Sequence, residues 1–158
     1  MTETTEREWT HAGRHYDADG PWSAEPDKRH WVDPATDMDC LMVRNHSGAW
    51  CGYVAVTEGH PYFEADYDFC DVEVHGGLTF ASFCRESAEG EGHGICHTPL
   101  PGRPARVWWL GFDCAHYMDL IPLMLRYGSV FDGAVYRDVA YVKGQCESLA
   151  RQLKAVAT

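Results

Sequence analysis

The chain has 158 residues, which is enough for one domain with a substantial hydrophobic core. Its composition, 45% hydrophobic and 23% charged, is typical of a globular protein, and no apolar run is long enough to span a bilayer. The formal net charge is −11 and no basic block is present, which argues against generic nucleic-acid binding because cations are needed to displace phosphate counterions.

Residues 1–30 are rich in charge, glycine, proline and aspartate and show no hydrophobic periodicity. They predict a partly ordered arm that anchors through its aromatic side chains, followed by a single α+β domain over residues 31–158. The N-terminus lacks the apolar core of a secretory signal, so we expect a cytoplasmic protein with no membrane partner, in the host cytoplasm if a phage encodes it. In that compartment the seven cysteines are not expected to form a disulfide framework.

The clearest local pattern in the first half of the chain is a β-hairpin. Two strand-like runs, residues 40–44 and 50–56, flank a short turn that contains glycine. Residues 70–84 alternate and then pause at a Gly-Gly pair, which indicates either one kinked strand or two strands that meet at a tight turn. Residues 85–106 predict a long loop rich in glycine and proline.

The second half of the chain predicts one buried strand and one helix. Residues 107–113, VWWLGFD, are apolar without alternation, which is typical of a central strand buried on both faces. Residues 137–156 have the periodicity of an amphipathic helix, with Asp138 near its start. We therefore expect an α+β fold with a mixed or mainly antiparallel sheet and the C-terminal helix packed on one face.

Side chains that can bind metals or transfer protons follow the central strand: Asp113, Cys114, His116 and Asp119. Adjacent strand residues point to opposite faces, so Asp113 and Cys114 do not converge on one atom. We expect Asp113 and His116 to face a pocket and Cys114 to pack in the core. A strand that simply ends in solvent explains the same residues, and this alternative stays open.

Further candidates lie in VHGGLTF, residues 74–80, and near the start of the last helix. Backbone N–H groups of Gly76 and Gly77 can bind an anion, and His75 can carry a proton or bond to a ligand. The planar fork of Arg137 suits a phosphate or a carboxylate. An ordinary hairpin turn and a surface ion pair are the structural alternatives.

Two other groups are candidates for ligand and metal binding. Trp108 and Trp109 point to opposite faces of an extended strand, so one of them can line a cavity and stack on a flat ligand. A separate string offers four potential zinc ligands: Cys84, His93, Cys96 and His97. Their spacing matches no standard zinc motif, so zinc is a candidate cofactor that we do not favour, and no other cofactor is predicted.

Several segments, among them CGYV, HGGLT, WWLGFDCAH and YRDVAYV, occur here in one order. Together they resemble a family of short proteins encoded by bacteriophage and bacterial genomes, and the resemblance covers roughly residues 25–155. It implies a phage or prophage origin and identifies no catalytic residue. By analogy, small acidic phage proteins act on the host by mimicry or by sequestering or destroying nucleotide immune signals.

Three functions follow from these observations. The favoured function is binding of a small nucleotide-like molecule, which would sequester a host defence signal. The first alternative is a small hydrolase, metal-dependent or based on a Cys–His pair, that uses His75, Asp113 and His116. The second is an acidic inhibitor that docks on a host protein. Whether the protein is an enzyme, and how many chains assemble, are left open.

Overall fold

The computed structural model describes residues 6–11 and 19–158. The strands are Arg7–Trp9 (β1), Lys28–Asp33 (β2), Met38–Arg44 (β3), Trp50–Thr57 (β4), Phe80–Ser82 (β5) and Val107–Asp113 (β6). They form one antiparallel sheet in the order β1-β2-β3-β4-β6-β5. The helices are Pro122–Arg126 (α1) and Val139–Val156 (α2), with short 3-10 turns at Pro21–Ala24 and Tyr67–Phe69. The predicted α+β fold is confirmed.

Both faces of the sheet are covered, which explains why β6 lacks alternation. On one face Leu110 and Phe112 pack in a core shared with α2. On the other face Trp109 packs with Tyr53 and with Ile95, which belongs to the long loop. Strand β6 is therefore buried on both sides and lies between β4 and β5, as its apolar run predicts.

Helix α2 begins after Asp138, whose side chain accepts a hydrogen bond of 2.8 Å from the backbone N–H of Tyr141. Its buried side chains recur at helical spacing: Val142, Cys146, Leu149, Ala150 and Leu153. Gly52 of β4 leaves room for the helix, since a Cβ at this position would overlap the sulfur of Cys146 in α2 as well as the ring of Phe112. The predicted helix and its packing on one face of the sheet are confirmed. No helix among the described residues is both long and apolar enough to cross a membrane.

The sheet also includes residues of the predicted N-terminal arm. Strand β1 and the first half of β2 lie before residue 31, the boundary at which the domain was expected to begin. Residues 19–27, directly before β2, are anchored by buried Trp22 and by Glu25, whose carboxylate accepts a hydrogen bond from the N–H of Val139 at the start of α2. The hairpin predicted over residues 40–56 is confirmed as β3 and β4.

Residues 85–106 form the predicted loop, which has one isolated bridge between Arg85 and Ile95. A disulfide joins Cys84 and Cys96 on either side of that bridge, so these two cysteines are not the free thiols that we expected. The loop is also fixed by Lys28 of β2. Its ammonium donates to the carbonyls of Glu91, Gly94 and Cys96 at 2.6, 2.8 and 2.9 Å. Burial lowers the pKa of Lys28 to about 8, against an opposing effect of the nearby Glu91 carboxylate.

Residues 70–79 contain no strand, unlike either form predicted for this segment. The chain instead lies along α2, because Gln152 bonds both backbone groups of Glu73, and the N–H of His75 donates to Gln145. It turns at the two glycines and enters the sheet only at β5. This path places the turn beside the end of β6.

Candidate functional site

Six of the residues predicted for the site come together where β6 ends: His75, Gly76, Asp113, His116, Asp119 and Arg137. They come from three parts of the chain, namely the turn before β5, the segment after β6 and the approach to α2. Backbone pairing and side-chain hydrogen bonds bring these parts into contact.

Asp119 is the centre of this cluster, and its side chain is only 1% exposed. Its carboxylate accepts hydrogen bonds from Nε2 of His75 at 2.9 Å, the backbone N–H of His116 at 3.0 Å and Nε of Arg137 at 2.9 Å. Burial by itself would raise the pKa of Asp119, but these hydrogen bonds outweigh burial and hold the pKa below its ordinary value. The carboxylate is therefore ionised at neutral pH.

A short backbone pairing places Asp119 beside Arg137. The N–H of Leu120 donates to the carbonyl of Val135, and the N–H of Val135 donates to Met118, each at 2.8 Å. Met118 has a φ of 70°, which non-glycine residues rarely adopt. This conformation turns the chain so that Asp119 follows directly and faces the start of the last helix.

His75 lies between Asp119 and helix α2. Its Nε2 atom bonds the carboxylate of Asp119, and its Nδ1 atom lies 2.8 Å from the hydroxyl of Tyr141. Tyr141 and Gln145, which bonds the backbone of His75, are one helical turn apart on the same face of α2. The sequence analysis missed both residues. Their spacing of four on a half-buried helix face is a signal that could have found them.

The predicted pair of Asp113 and His116 is present, with Oδ1 of Asp113 3.3 Å from Nε2 of His116. Asp113 also accepts hydrogen bonds from the hydroxyl of Thr79 and the N–H of Ala115. Gly76 lies directly over His116, and a Cβ on Gly76 would overlap the imidazole ring. Since Gly76 also has a φ of 69°, glycine is required there both for space and for conformation.

Gly77 does not take the role predicted for it, whereas Cys114 lies in the core as expected. The N–H of Gly77 donates to the carbonyl of Val74 at 2.8 Å, so it is not available to bind an anion. Cys114 is buried, as expected, and burial together with the Asp119 charge raises the pKa of its thiol well above the ordinary value. Such a thiol is not a nucleophile, which argues against a Cys–His pair built on Cys114.

The two tryptophans point to opposite faces, but neither lines the site. Trp109 is fully buried on the face away from α2, with the ring of His97 5.2 Å from its own. Trp108 packs against Phe83, and its indole N–H donates to the carbonyl of Ala65. The sheet separates Trp109 from the cluster around Asp119, and Trp108 packs against Phe83, so stacking of either ring on a ligand stays a prediction.

The four predicted zinc ligands do not form one site. Cys84 and Cys96 are bonded to each other, and a disulfide sulfur is not a thiolate ligand. The ring of His93 stacks on that of His11 at 3.7 Å, whereas His97 is buried against Trp109 and His30. Over residues 6–11 and 19–158 no group of three or more His, Cys, Asp or Glu side chains is placed to hold a metal ion.

A cavity of about 280 Å³ opens next to Asp119 and His116. Its other walls come from residues 115–131 and are mostly apolar, with the rings of Tyr117 and Phe131 at its edge. The two rings pack edge to face with their centres 5.2 Å apart, yet Tyr117 is 78% and Phe131 is 62% exposed to solvent. Large exposed aromatic side chains beside a cavity are typical of a binding site. The sequence analysis did not predict them.

No family model matches this chain, and comparisons with curated proteins and with solved structures give no significant match. The function must therefore be argued from the geometry of the site.

Proposed function

We propose that the protein binds a small molecule with a flat ring and an anionic group, of which a nucleotide is the best example. The observation that carries this proposal is the cavity beside Asp119, which combines apolar walls with convergent polar groups. The exposed rings of Tyr117 and Phe131 take the stacking role that the sequence analysis assigned to tryptophan.

Arg137 is the residue that favours an anionic group on the ligand. Its Nε atom bonds Asp119, which leaves the two terminal nitrogens of the guanidinium without a hydrogen bond to any described residue. These nitrogens present the two-pronged donor geometry that phosphate accepts. The negative charge of the chain does not oppose this, because Asp119 is neutralised by Arg137 and Asp113 lies at ion-pair distance from His116.

The phage or prophage origin implied by the family resemblance stays a prediction. If a phage or prophage encodes the protein, we expect the biological ligand to be a nucleotide signal of host defence. The protein would then act by sequestering that signal in the host cytoplasm. The alternative of an acidic inhibitor also stays a prediction, with a host protein in place of the small ligand.

Native mass spectrometry of the protein as isolated, followed by a thermal-shift panel of mono-, di- and cyclic nucleotides, tests the proposal. A ligand at one hundred times its Kd stabilises the folded state by about 2.7 kcal/mol, which a thermal shift detects. A bound mass that matches a nucleotide, or a dose-dependent shift that is lost in Phe131→Ala, supports the proposal. No bound mass and no shift across the panel contradict it, and a stoichiometric host protein in place of a ligand favours the inhibitor.

A further inference from the structure

The hydroxyl of Tyr141 stands at the end of a continuous hydrogen-bonded chain that starts at a buried carboxylate. Asp119 accepts from Nε2 of His75 at 2.9 and 3.0 Å, and Nδ1 of His75 lies 2.8 Å from the Tyr141 oxygen. An imidazole held between a carboxylate and a hydroxyl is the arrangement that activates a nucleophile in Ser-His-Asp enzymes. Here the hydroxyl is a phenol.

The contacts of Asp119 determine which nitrogen of His75 carries the proton. The ionised carboxylate accepts from Nε2, so in the neutral imidazole the proton resides on Nε2 and the lone pair on Nδ1 faces the phenol. His75 is thus oriented to accept the phenolic proton of Tyr141. The backbone of His75 is itself fixed by Gln145, so the ring does not depend on the phenol for its position.

Arg137 brings a cation to the same phenol. Its guanidinium carbon lies 4.9 Å from the centre of the Tyr141 ring, and its terminal nitrogens are the proposed binding point for an anionic group. A phosphoryl group held there lies beside the phenol, and the guanidinium can balance the negative charge that develops on both. Tyr141 is partly exposed, so a ligand can reach it.

We propose that Tyr141 is a nucleophile that cleaves phosphodiesters at this site, with His75 as its base and Asp119 as the residue that positions His75. The phenol oxygen bonds to phosphorus, the bond from phosphorus to the leaving oxygen breaks, and the phenolic proton moves to His75 and then to the departing alkoxide. Water then cleaves the tyrosyl–phosphorus bond by the same steps in reverse. The products are a phosphomonoester and an alcohol. The substrate class rests on the proposed function, since it requires an anionic group at Arg137.

An alkyl fluorophosphonate tests the nucleophile without knowledge of the natural substrate. Attack by Tyr141 displaces fluoride and leaves a stable phosphonyl ester that peptide mass spectrometry locates. We expect Tyr141 to be labelled at least ten times faster than Tyr117 and Tyr127, which are 78% and 69% exposed and form no hydrogen bond with a histidine of residues 6–11 or 19–158. Labelling of Tyr141 at or below the rate of these two tyrosines would overturn the proposal, and this comparison needs no variant.

A histidine variant then tests the base. His75→Gln keeps hydrogen-bonding groups in place but cannot accept a proton, so labelling of Tyr141 should fall at least tenfold. His93→Gln, in the long loop, is the matched control and should leave the rate unchanged. Equal rates in the wild type and a folded His75→Gln variant would contradict the role of His75 as base and with it the proposal.

A measurement of nucleotide binding shows whether the nucleophile or the proposed binding function has failed. Tyr141→Phe should still bind nucleotides, because Arg137 and the cavity are unchanged, but should not be labelled at position 141. If nucleotides bind and Tyr141 is not labelled preferentially, the nucleophile is excluded and the binding function stands. If Tyr141 is labelled and no nucleotide binds, the binding function is excluded and the activated tyrosine stands.

Discussion

Both carboxylate oxygens of Asp119 lie within 3.0 Å of Nε2 of His75. These residues are 44 positions apart in the chain, and the contact joins the segment after β6 to the turn before β5. The same carboxylate bonds Arg137 near the start of α2. Asp119 therefore holds together the three segments that form the candidate site, and its removal should affect both stability and function.

Asp119→Asn should lower the free energy of unfolding by about 2–3 kcal/mol at pH 7, because it leaves Arg137 and His75 without their anionic partner. Since the folded-state pKa of Asp119 is below its ordinary value, its contribution is present above the unfolded pKa of about 3.9 and is lost as the pH falls through the folded-state pKa. In denaturant unfolding from pH 7 down to pH 2, the difference between wild type and variant should therefore be constant above about pH 4 and shrink below it. Asp132→Asn, at an exposed position, is the control, and a constant difference across the pH range would contradict the linkage.

Gly76→Ala should be more destabilising than Gly77→Ala, although both positions have positive φ. The backbone cost is similar for each, about 1–2 kcal/mol. A Cβ at Gly77 enters open space, whereas a Cβ at Gly76 overlaps the ring of His116. Gly76→Ala should also weaken ligand binding, because His116 lines the cavity. Thermal unfolding and calorimetric titration of the two variants check this, and equal effects would show that the close contact with His116 is unimportant.

Phe131→Ala and Tyr117→Ala should each weaken binding of a nucleotide identified in the thermal-shift panel. Stacking of a base on an aromatic side chain contributes about 1–3 kcal/mol, which corresponds to an increase in Kd of roughly 5- to 150-fold. Tyr127→Ala is the matched control, since Tyr127 is exposed to a similar degree but does not line the cavity. Isothermal titration gives the three constants. Similar values for all three variants would place the ligand elsewhere.

Alkaline pH should destabilise the protein through its buried thiols. Burial raises the folded-state pKa of Cys51 to about 12 and raises that of Cys40, Cys114 and Cys146 as well. A raised folded-state pKa gives stability that is fully present below the unfolded pKa, about 8.5, and is lost as the pH rises, because only the unfolded chain ionises. Denaturation midpoints should therefore fall between pH 8 and pH 10. Cys146→Ala should be less stable than the wild type at pH 7 but should lose less stability between pH 8 and pH 10. If its stability falls with pH as steeply as that of the wild type, the thiol of Cys146 does not contribute to the alkaline loss.

The sequence predicts those parts of the fold whose signals are local. The hairpin and α2 are marked by their own periodicity, and alternation at the end of β6 separates buried Cys114 from partly exposed Asp113. Tyr141 could not be paired with His75 in this way, since 66 residues separate them and only the path of residues 70–79 along α2 brings them together. The role of the tryptophans could not be predicted either, because alternation does not tell which face of the sheet is open.

The beginning of the sheet was missed for a related physical reason. The sequence of β2 begins with three polar residues, and lysine and histidine side chains such as those of Lys28 and His30 are usually exposed to solvent. Both are buried because partners from distant parts of the chain satisfy them, the loop carbonyls for Lys28 and the carboxylate of Asp39 for His30. Such compensation depends on tertiary structure, so hydrophobic patterning alone assigns these residues to the surface.

The ammonium of Lys28 has a consequence for the dynamics of the long loop. Segments without regular secondary structure usually open by local fluctuation, so their amide protons exchange quickly with solvent. Here Lys28, on an inner strand, holds three loop carbonyls, and the Cys84–Cys96 disulfide closes the same segment at its base. Opening the loop would leave the charge of Lys28 buried without acceptors. In a hydrogen-exchange experiment we therefore expect the amides of Arg85 and Ile95, which bond across the loop, to be protected like those of the sheet and to lose that protection in Lys28→Met. The loop then opens as part of the same cooperative unit as the strands.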